Sequence, residues 1–397
     1  MAGAAPEYLE ATTLADEISS EQTNRLAVVA LEKSHGVLLA GSSPAPIFAM
    51  DAKGEFQAHR YPGESADWLV AFQRAHQPEK FQNTGWLALG AQPGSPPLRL
   101  LTYDAEKPED FYWLYKASPF AQAAQLELVR QLIEKEKFGQ GEALDFIPVV
   151  LSSTALLGYE TGAQSPLMSQ MVMHLDQELE TTLEALDRIV GAEHYTLVLT
   201  AAHGAPPEPG GERRQRMAVN GEQIARGIDG ALSQQLDTAG TRIRYVERYV
   251  YPFLYLRAEQ LRRPEMDLRR LRRLAGEAAL EQPGVAGYYT ADGDCSHRGD
   301  WLPRFRNSFH AGRSGDVMLA YKPEYVEEYG AGRGVSYGSL YNYDTRVPLI
   351  FYGPQFQAET FETPVEAIDI APTLARVMGT NLPSSSTGRV LAEAFLT

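Results

Sequence analysis

The stretch YTLVLTAAHG (195–204) decides the fold class of this chain, because it reads as a buried strand that ends in a polar turn. Residues 197–199 form its apolar centre, and Gly204 ends it. Strands of this kind deliver their last residues to the carboxyl edge of an α/β sheet, where active sites lie. Here those residues are Ala201, Ala202 and His203, so an imidazole stands beside a methyl group where catalytic chemistry would favour a carboxylate.

A second apolar run, DFIPVVLSST (145–154), reads as another buried strand, and Ser165 with Pro166 marks the start of a long helix between the two strands. The apolar stripe of that helix recurs every three or four residues: Met171, Leu175, Leu179, Leu183, Leu186 and Val190. Continuously apolar strands joined through a helix are typical of parallel sheets. We therefore predict an α/β fold with a mostly parallel central sheet that helices cover on both faces.

Further elements extend this pattern towards the start of the chain. LAVVALE (26–32) reads as a core strand, and HGVLLAG (35–41) reads as its continuation in the sheet. Residues 46–60 read as a hairpin with its turn at AKGE. Ser118 is placed as the N-cap of a helix over 118–137.

Length and composition fit one large domain. The chain has 397 residues, of which 44% are hydrophobic, enough to bury a sizeable core. We predict a single domain over residues 1–397, with a more irregular, cap-like section at about 205–310. Because no stretch approaches the ~18 apolar residues of a membrane helix, no transmembrane segment is predicted.

The charge of the chain argues against nucleic acid as a partner. Its formal net charge is -15, and an acidic surface repels polyanions. Paired arginines in LRRPEMDLRRLRRL (261–274) fall on a helical period, which favours a solvated helix face over a binding patch. The single cysteine, Cys295, excludes an intramolecular disulfide, and its loop neighbours Asp292, Asp294 and His297 form only a weak metal pattern.

Five motifs, in order along the chain, carry a resemblance to a known family. They are SSTALLGYETG (152–162), TAAHG (200–204), RSGDV (313–317), SYGSLYNYDTRVPLIFYG (336–353), and DIAPTL with GRVL (369–374 and 388–391). Together they resemble the alkaline phosphatase superfamily, in the branch of phosphate-irrepressible alkaline phosphatases and type I phosphodiesterase/nucleotide pyrophosphatases. The resemblance implies an alkaline phosphatase-like fold and a two-zinc hydrolase.

The positions that the resemblance assigns to zinc are mostly occupied by residues that cannot bind it. The family's ligand aspartates fall on Ala155 and Ala202, and two of its ligand histidines fall on Tyr159 and Tyr337. His203 is the one ligand kept among these five. Because a zinc site needs about three protein ligands, we expect no zinc and no other cofactor here.

The family's phosphate-binding positions are also changed. Its lysine and arginine, which follow the strand, fall on Glu32 and Ser34, and Lys33 is one residue out of register. The family's first ligand aspartate and its nucleophile match nothing from Met1 onward. Either the chain is part of a longer protein, another chain supplies these groups, or the architecture was rebuilt.

These losses lead to a functional prediction with two alternatives. We predict a catalytically inactive pseudophosphatase that serves as a structural or interaction subunit with a protein partner. The first alternative is a zinc-dependent phosphomonoesterase or phosphodiesterase whose nucleophile segment lies upstream or in another chain. The second is a module that binds a small-molecule ligand without cleaving it, in a pocket of Tyr159, His203, Tyr337 and Tyr341.

The compartment is left open at this stage. The N-terminal stretch MAGAAPEYLEATT has neither a basic region nor an apolar core, so it does not read as a signal peptide. A complete chain would therefore be cytoplasmic. The family resemblance implies a periplasmic or exported protein if the chain is a fragment.

Overall fold

A computed structural model describes residues 5–21, 23–60, 66–206, 217–237, 243–262, 266–297, 299–327 and 337–396. The helices are α1 (Leu14–Ser19), α2 (Lys33–Ala40), α3 (Asp67–Ala75), α4 (Pro108–Lys116), α5 (Pro119–Lys135), α6 (Ser153–Thr161), α7 (Pro166–Ile189), α8 (Gly221–Leu236), α9 (Ala258–Leu261), α10 (Leu268–Leu280), α11 (Trp301–Ser308), α12 (Asn342–Thr345) and α13 (Ile370–Met378). The strands are β1 (Arg25–Leu26), β2 (Val28–Ala30), β3 (Ile47–Met50), β4 (Phe56–His59), β5 (Thr84–Trp86), β6 (Arg99–Leu101), β7 (Asp145–Phe146), β8 (Val149–Val150), β9 (Leu197–Thr200), β10 (Ala218–Val219), β11 (Val246–Val250), β12 (Phe253–Leu256), β13 (Val285–Thr290), β14 (Val317–Tyr321), β15 (Val326–Glu327) and β16 (Leu349–Tyr352).

The chain divides into two compact units. The first comprises Met1–Leu157, Pro166–Thr200 and Pro348–Thr397, and the second comprises Gly158–Ser165 and Ala201–Val347. The predicted cap-like section at 205–310 lies in the second unit, although parts of it fall outside the described residues. The prediction of a single domain stays a prediction.

The first unit contains the parallel strands that the apolar runs predict. Its largest sheet has the order β4-β3-β2-β8, in which β2 pairs in parallel with both β3 and β8. The predicted hairpin is confirmed, since β3 and β4 pair antiparallel around a turn at 51–55. Together with helices and antiparallel strands, this makes the α/β fold class correct.

The prediction that residues 35–41 continue the sheet is wrong, because they form most of helix α2. Two parallel neighbours, β2 and β3, cannot be joined by a tight turn and need a crossover, which this helix provides. Val37 and Ala40 pack from the helix against Val28 and Ile47 of the strands. A short apolar run does not distinguish a buried helix from a buried strand, which explains the error.

The two strands singled out in the sequence have different partners from those expected. Strand β8 pairs in parallel with β2, whereas β9 pairs antiparallel with β16. Strand β9 is also only half-buried, although its sequence reads as a strand covered on both faces. Farther along, Ser118 precedes α5 as predicted, but its hydroxyl donates to the carbonyl of Tyr115 and does not cap the helix.

The second unit is built on an antiparallel sheet of order β11-β12-β14-β13. Helices α8 and α10 pack on this sheet, and their buried residues form one core with it. Leu271, Ile228 and Leu254 are among the fully buried members of that core. Among the described residues, no helix is both long enough and apolar enough to cross a membrane.

Candidate functional site

Three of the residues singled out in the sequence stack on one another in the second unit. The rings of His203 and Tyr337 lie parallel, with centroids 3.9 Å apart and planes inclined by 3°. Tyr159, from α6, stacks on Tyr337 with centroids 5.5 Å apart. The positions that the family resemblance assigns to three zinc ligands therefore meet, but two of them supply aromatic surface.

The hydrogen bond of His203 determines what its imidazole can do. Nδ1 lies 2.7 Å from the carbonyl oxygen of Gly204, and a carbonyl can only accept, so Nδ1 carries the proton. In the neutral ring, Nε2 therefore holds the lone pair and can accept a proton or act as a single ligand of a metal ion.

The backbone around His203 is held against residues 343–344. The amide of Gly204 donates to the carbonyl oxygen of Asp344 at 2.7 Å. A Cβ on Gly204 would overlap the carbonyl oxygen of Tyr343, so this close approach requires glycine. The glycine that ends the strand in the sequence thus has a packing role as well as a turn role.

Asp344 is the acidic group of this site. It is 3% exposed, its Oδ2 accepts from the amide of Ser339 at 2.8 Å, and its Oδ1 is buried without a hydrogen bond in the described part of the chain. Burial raises the pKa of Asp344, while the bonds from Ser339 and the nearby His203 oppose that rise. Asp344 is not among the site residues predicted from the sequence, although its place in the NYDT motif was an available signal.

Tyr341 does not join the stack of His203, Tyr337 and Tyr159. Its ring stacks on Tyr343 at 5.4 Å and lies edge-on to Trp301 at 5.8 Å. Its hydroxyl donates to the carbonyl oxygen of Tyr321. The predicted four-residue pocket is thus divided between two aromatic clusters of the second unit, and its binding role stays a prediction.

The remaining candidate positions are divided between the units. Ala155 lies in the first turn of α6 in the first unit, and Ala202 follows β9 at the start of the second unit. Glu32 directly precedes α2, and Ser34 lies in the first turn of that helix. Strand register does not decide the direction of the Lys33 side chain, since β2 ends at Ala30 and Lys33 is helical.

The residues at the five matched positions do not fit a two-zinc centre. Alanine has no ligand atom, and a tyrosine phenol with its ordinary pKa near 10 is a poor zinc ligand at neutral pH. One imidazole is left where two zinc ions would need about six ligands. Elsewhere in the described ranges, no group of three or more His, Cys, Asp or Glu side chains is placed to hold a metal ion.

Ion pairs join the arginine-rich stretch to the loop that contains Cys295. Arg272 bonds to Asp292 and Asp316, and Arg269 bonds to Asp294. The thiol of Cys295 donates to the carbonyl oxygen of His297. Asp292 and Asp294 of the loop are therefore paired with arginines of α10.

The chain is similar to known proteins along most of its length. A family model described as type I phosphodiesterase / nucleotide pyrophosphatase matches residues 53–341. Alkaline phosphatase PafA of Elizabethkingia meningoseptica is 24% identical over 424 residues, covering 98% of this chain and 75% of the relative. Alkaline phosphatase PhoV of Synechococcus elongatus is 24% identical over 417 residues, again covering 98% of this chain and 74% of the relative.

The fold is shared with a solved alkaline phosphatase. The crystal structure of wild-type PafA superposes with a TM-score of 0.84 at 22% identity, covering 99% of this chain and 79% of that one. The predicted superfamily and fold are thereby confirmed. The prediction of an inactive pseudophosphatase is contradicted, because PafA and PhoV, which align along almost the whole chain, are named alkaline phosphatases.

Proposed function

Because the chain belongs to the type I phosphodiesterase / nucleotide pyrophosphatase family, we propose that it hydrolyses phosphate esters, as a phosphomonoesterase or a phosphodiesterase. The observation that carries this proposal is the extent of the likeness. Relatives named alkaline phosphatases align with 98% of the chain, and the likeness includes the stretches on either side of the candidate positions.

The fold supplies a suitable place for such chemistry. In the first unit, β2, β3 and β8 run parallel, so their carboxyl ends lie at one edge of the sheet. Polar residues follow two of these ends, at 32–35 after β2 and at 152–154 after β8. Phosphoryl transfer depends mainly on positioning and charge stabilisation, which groups at such an edge can provide.

The role of zinc is a separate part of the proposal. The donor set at the matched positions does not suit this metal, so we propose that these positions hold no zinc. The groups that act on the ester are then side chains of other residues.

The experiment is a direct assay with two chromogenic esters. The purified chain is given p-nitrophenyl phosphate and, separately, bis(p-nitrophenyl) phosphate, each with added zinc and with EDTA. We expect release of p-nitrophenol above that of a mock purification from a phosphatase-deficient host. Background rates with both esters under both conditions would contradict the proposed function, and the faster ester identifies the class of substrate.

A further inference from the structure

Three polar side chains converge at the carboxyl edge of the parallel sheet in the first unit. The Oγ of Ser152 lies 3.1 Å from Nδ1 of His35. On the other side of the imidazole, Nε2 of His35 lies 3.9 Å from Oε2 of Glu32. A hydroxyl, an imidazole and a carboxylate are therefore arranged in a row.

The pairing of β2 with β8 brings these residues together from distant parts of the chain. Ala30 is in register with Val150, and the amide of Leu31 donates to the carbonyl oxygen of Val150. Glu32 and Ser152 each stand two residues beyond that register pair. Helix α2 begins at once after Glu32, so His35, one turn along, faces back to Ser152.

Ser152 stands at the start of α6, yet its hydroxyl is not used as an ordinary helix cap. Its carbonyl accepts the first helical bond, from the amide of Leu156 at 3.0 Å. Within the described ranges, its hydroxyl bonds to His35 and to no amide of the first turn. The first amides of a helix lack partners inside the helix and stabilise negative charge nearby. Because residue 155 is alanine, the first turn of α6 has no carboxylate at that position to compete for these amides.

The distance between Ser152 and His35 meets the first requirement of an activated serine. A hydroxyl within about 2.6–3.2 Å of a base that is itself oriented by a third group is the pattern of nucleophilic catalysis. Oε2 of Glu32 lies 3.9 Å from Nε2, beyond hydrogen-bond distance, but its negative charge favours a proton on that nitrogen, which leaves Nδ1 of neutral His35 to accept the serine proton. The side chains of His35 and Glu32 are 42% and 47% exposed, so solvent reaches the imidazole.

We propose that Ser152 is a nucleophile for phosphoester hydrolysis that needs no metal, with His35 as its general base and Glu32 as the residue that positions the imidazole. The inference rests on the proposed function and names the groups that would perform it. It also gives the proposed hydrolysis a mechanism in a chain in which four of the five matched zinc positions lack the family's ligand.

The reaction is a two-step displacement at phosphorus. Oγ of Ser152 attacks the phosphorus as its proton passes to Nδ1 of His35, the bond from phosphorus to the leaving oxygen breaks, and that oxygen takes the proton from His35. The products of this step are an alcohol and a phosphoseryl enzyme. Water then attacks the phosphorus and gives a proton to His35, the serine–phosphorus bond breaks, and the proton returns to Oγ. For a monoester the sum is ester plus water to alcohol plus phosphate, and for a diester the second product is a phosphomonoester.

Positive charge near this row offsets the carboxylate of Glu32. Lys33 is the next residue, and Lys116, at the end of α4, is close enough to Glu32 to interact with it electrostatically. In the described part of the chain, neither lysine forms an ion pair within 4.0 Å.

The test combines turnover with covalent labelling of the intact chain. Ser152→Ala removes the nucleophile, and Ser153→Ala is the matched control because the buried Ser153 hydroxyl has no hydrogen-bond partner in the described ranges. His35→Gln removes the base, and Glu32→Gln removes the charge that orients it. A fluorophosphonate probe, followed by peptide mass spectrometry, reports serine nucleophilicity without any turnover. Ser152 is 6% exposed, so labelling also tests whether a reagent reaches it.

We expect turnover in EDTA that falls by about 10³-fold or more in Ser152→Ala and by about 10²–10⁴-fold in His35→Gln. Glu32→Gln should lower kcat with little change in KM, and Ser153→Ala should behave as the parent. The label should appear on Ser152 and be lost in Ser152→Ala only. Circular dichroism and melting curves establish that each variant is folded.

The other outcomes separate this inference from the proposed function. Turnover that persists in Ser152→Ala would support the proposed function and exclude Ser152 as the nucleophile. A label on Ser152 without ester turnover would support the nucleophile and contradict the proposed function. Absence of both label and turnover would overturn the two together.

Discussion

The imidazole of His203 lies flat against the phenol ring of Tyr337, with centroids 3.9 Å apart and planes inclined by 3°. In the family that the chain resembles, both positions carry zinc ligands that would point at a metal ion. Here tyrosine stands in place of one of these ligands, and the two side chains form a stack. The interaction of these two side chains is now one of dispersion and ring electrostatics, which can be measured as stability.

Tyr337→Ala should destabilise the protein through loss of this stack. Aromatic pairs contribute about 0.5–1.5 kcal/mol beyond the area they bury, and we expect a loss in that range because Tyr337 is partly exposed. Urea unfolding gives the free energy of unfolding, and Tyr337→Phe is the control that keeps the ring. Equal stabilities of the alanine and phenylalanine variants would show that the stack contributes nothing.

Zinc content tests the proposal that the matched positions hold no metal. We expect well under one zinc per chain by elemental analysis after dialysis against micromolar zinc. The control variant combines Ala155→Asp, Tyr159→His, Ala202→Asp and Tyr337→His, which restores the family's ligand types, and it should retain more zinc than the parent. A content of about one or two zinc per parent chain would mean that other residues act as ligands.

Replacement of Gly204 tests the close approach of its backbone to residues 343–344. Gly204→Ala places a methyl group against the carbonyl oxygen of Tyr343, and we expect a loss of about 1–3 kcal/mol from overpacking. Gly230→Ala in α8 is the matched control, since a Cβ there has nothing within 4 Å and should stabilise the helix by about 0.5–1 kcal/mol. A Gly204→Ala variant that melts at or above the melting temperature of the parent would contradict the predicted overpacking.

The buried carboxyl of Asp344 makes a pH-dependent contribution to stability. Burial raises its pKa above the usual value of 3.8, so the folded state favours the protonated acid. Its contribution is fully present below that usual pKa and is lost as pH rises through the raised value. Asp344→Asn removes the titration, so we expect the stability of the parent relative to this variant to decrease as pH rises through that window. Urea unfolding from pH 3 to 7 measures this, and parallel pH profiles would show that Asp344 does not titrate differently in the folded state.

Most regular elements were predictable because their apolar periodicity is strong. The hairpin at 46–60 and the helices beginning at Pro119 and Pro166 have clear turn or start signals, and the structure has them. Residues 35–41 were misassigned because a seven-residue apolar run suits a helix and a strand equally well. The crossover between β2 and β3 determines that it is helical, and this depends on strands outside the run.

The sequence by itself determined the superfamily, the α/β class and the identity of the residues at the family's ligand positions. These follow from local composition and from the order of motifs, which need no knowledge of contacts. Only the tertiary structure decided that His203 stacks on Tyr337, that Gly204 packs against residue 343, and that His35 meets Ser152 from 117 positions away. For His35 and Ser152 the physical reason is strand register, because the pairing of Ala30 with Val150 fixes which side chains meet at the edge of the sheet, and no local pattern contains that information.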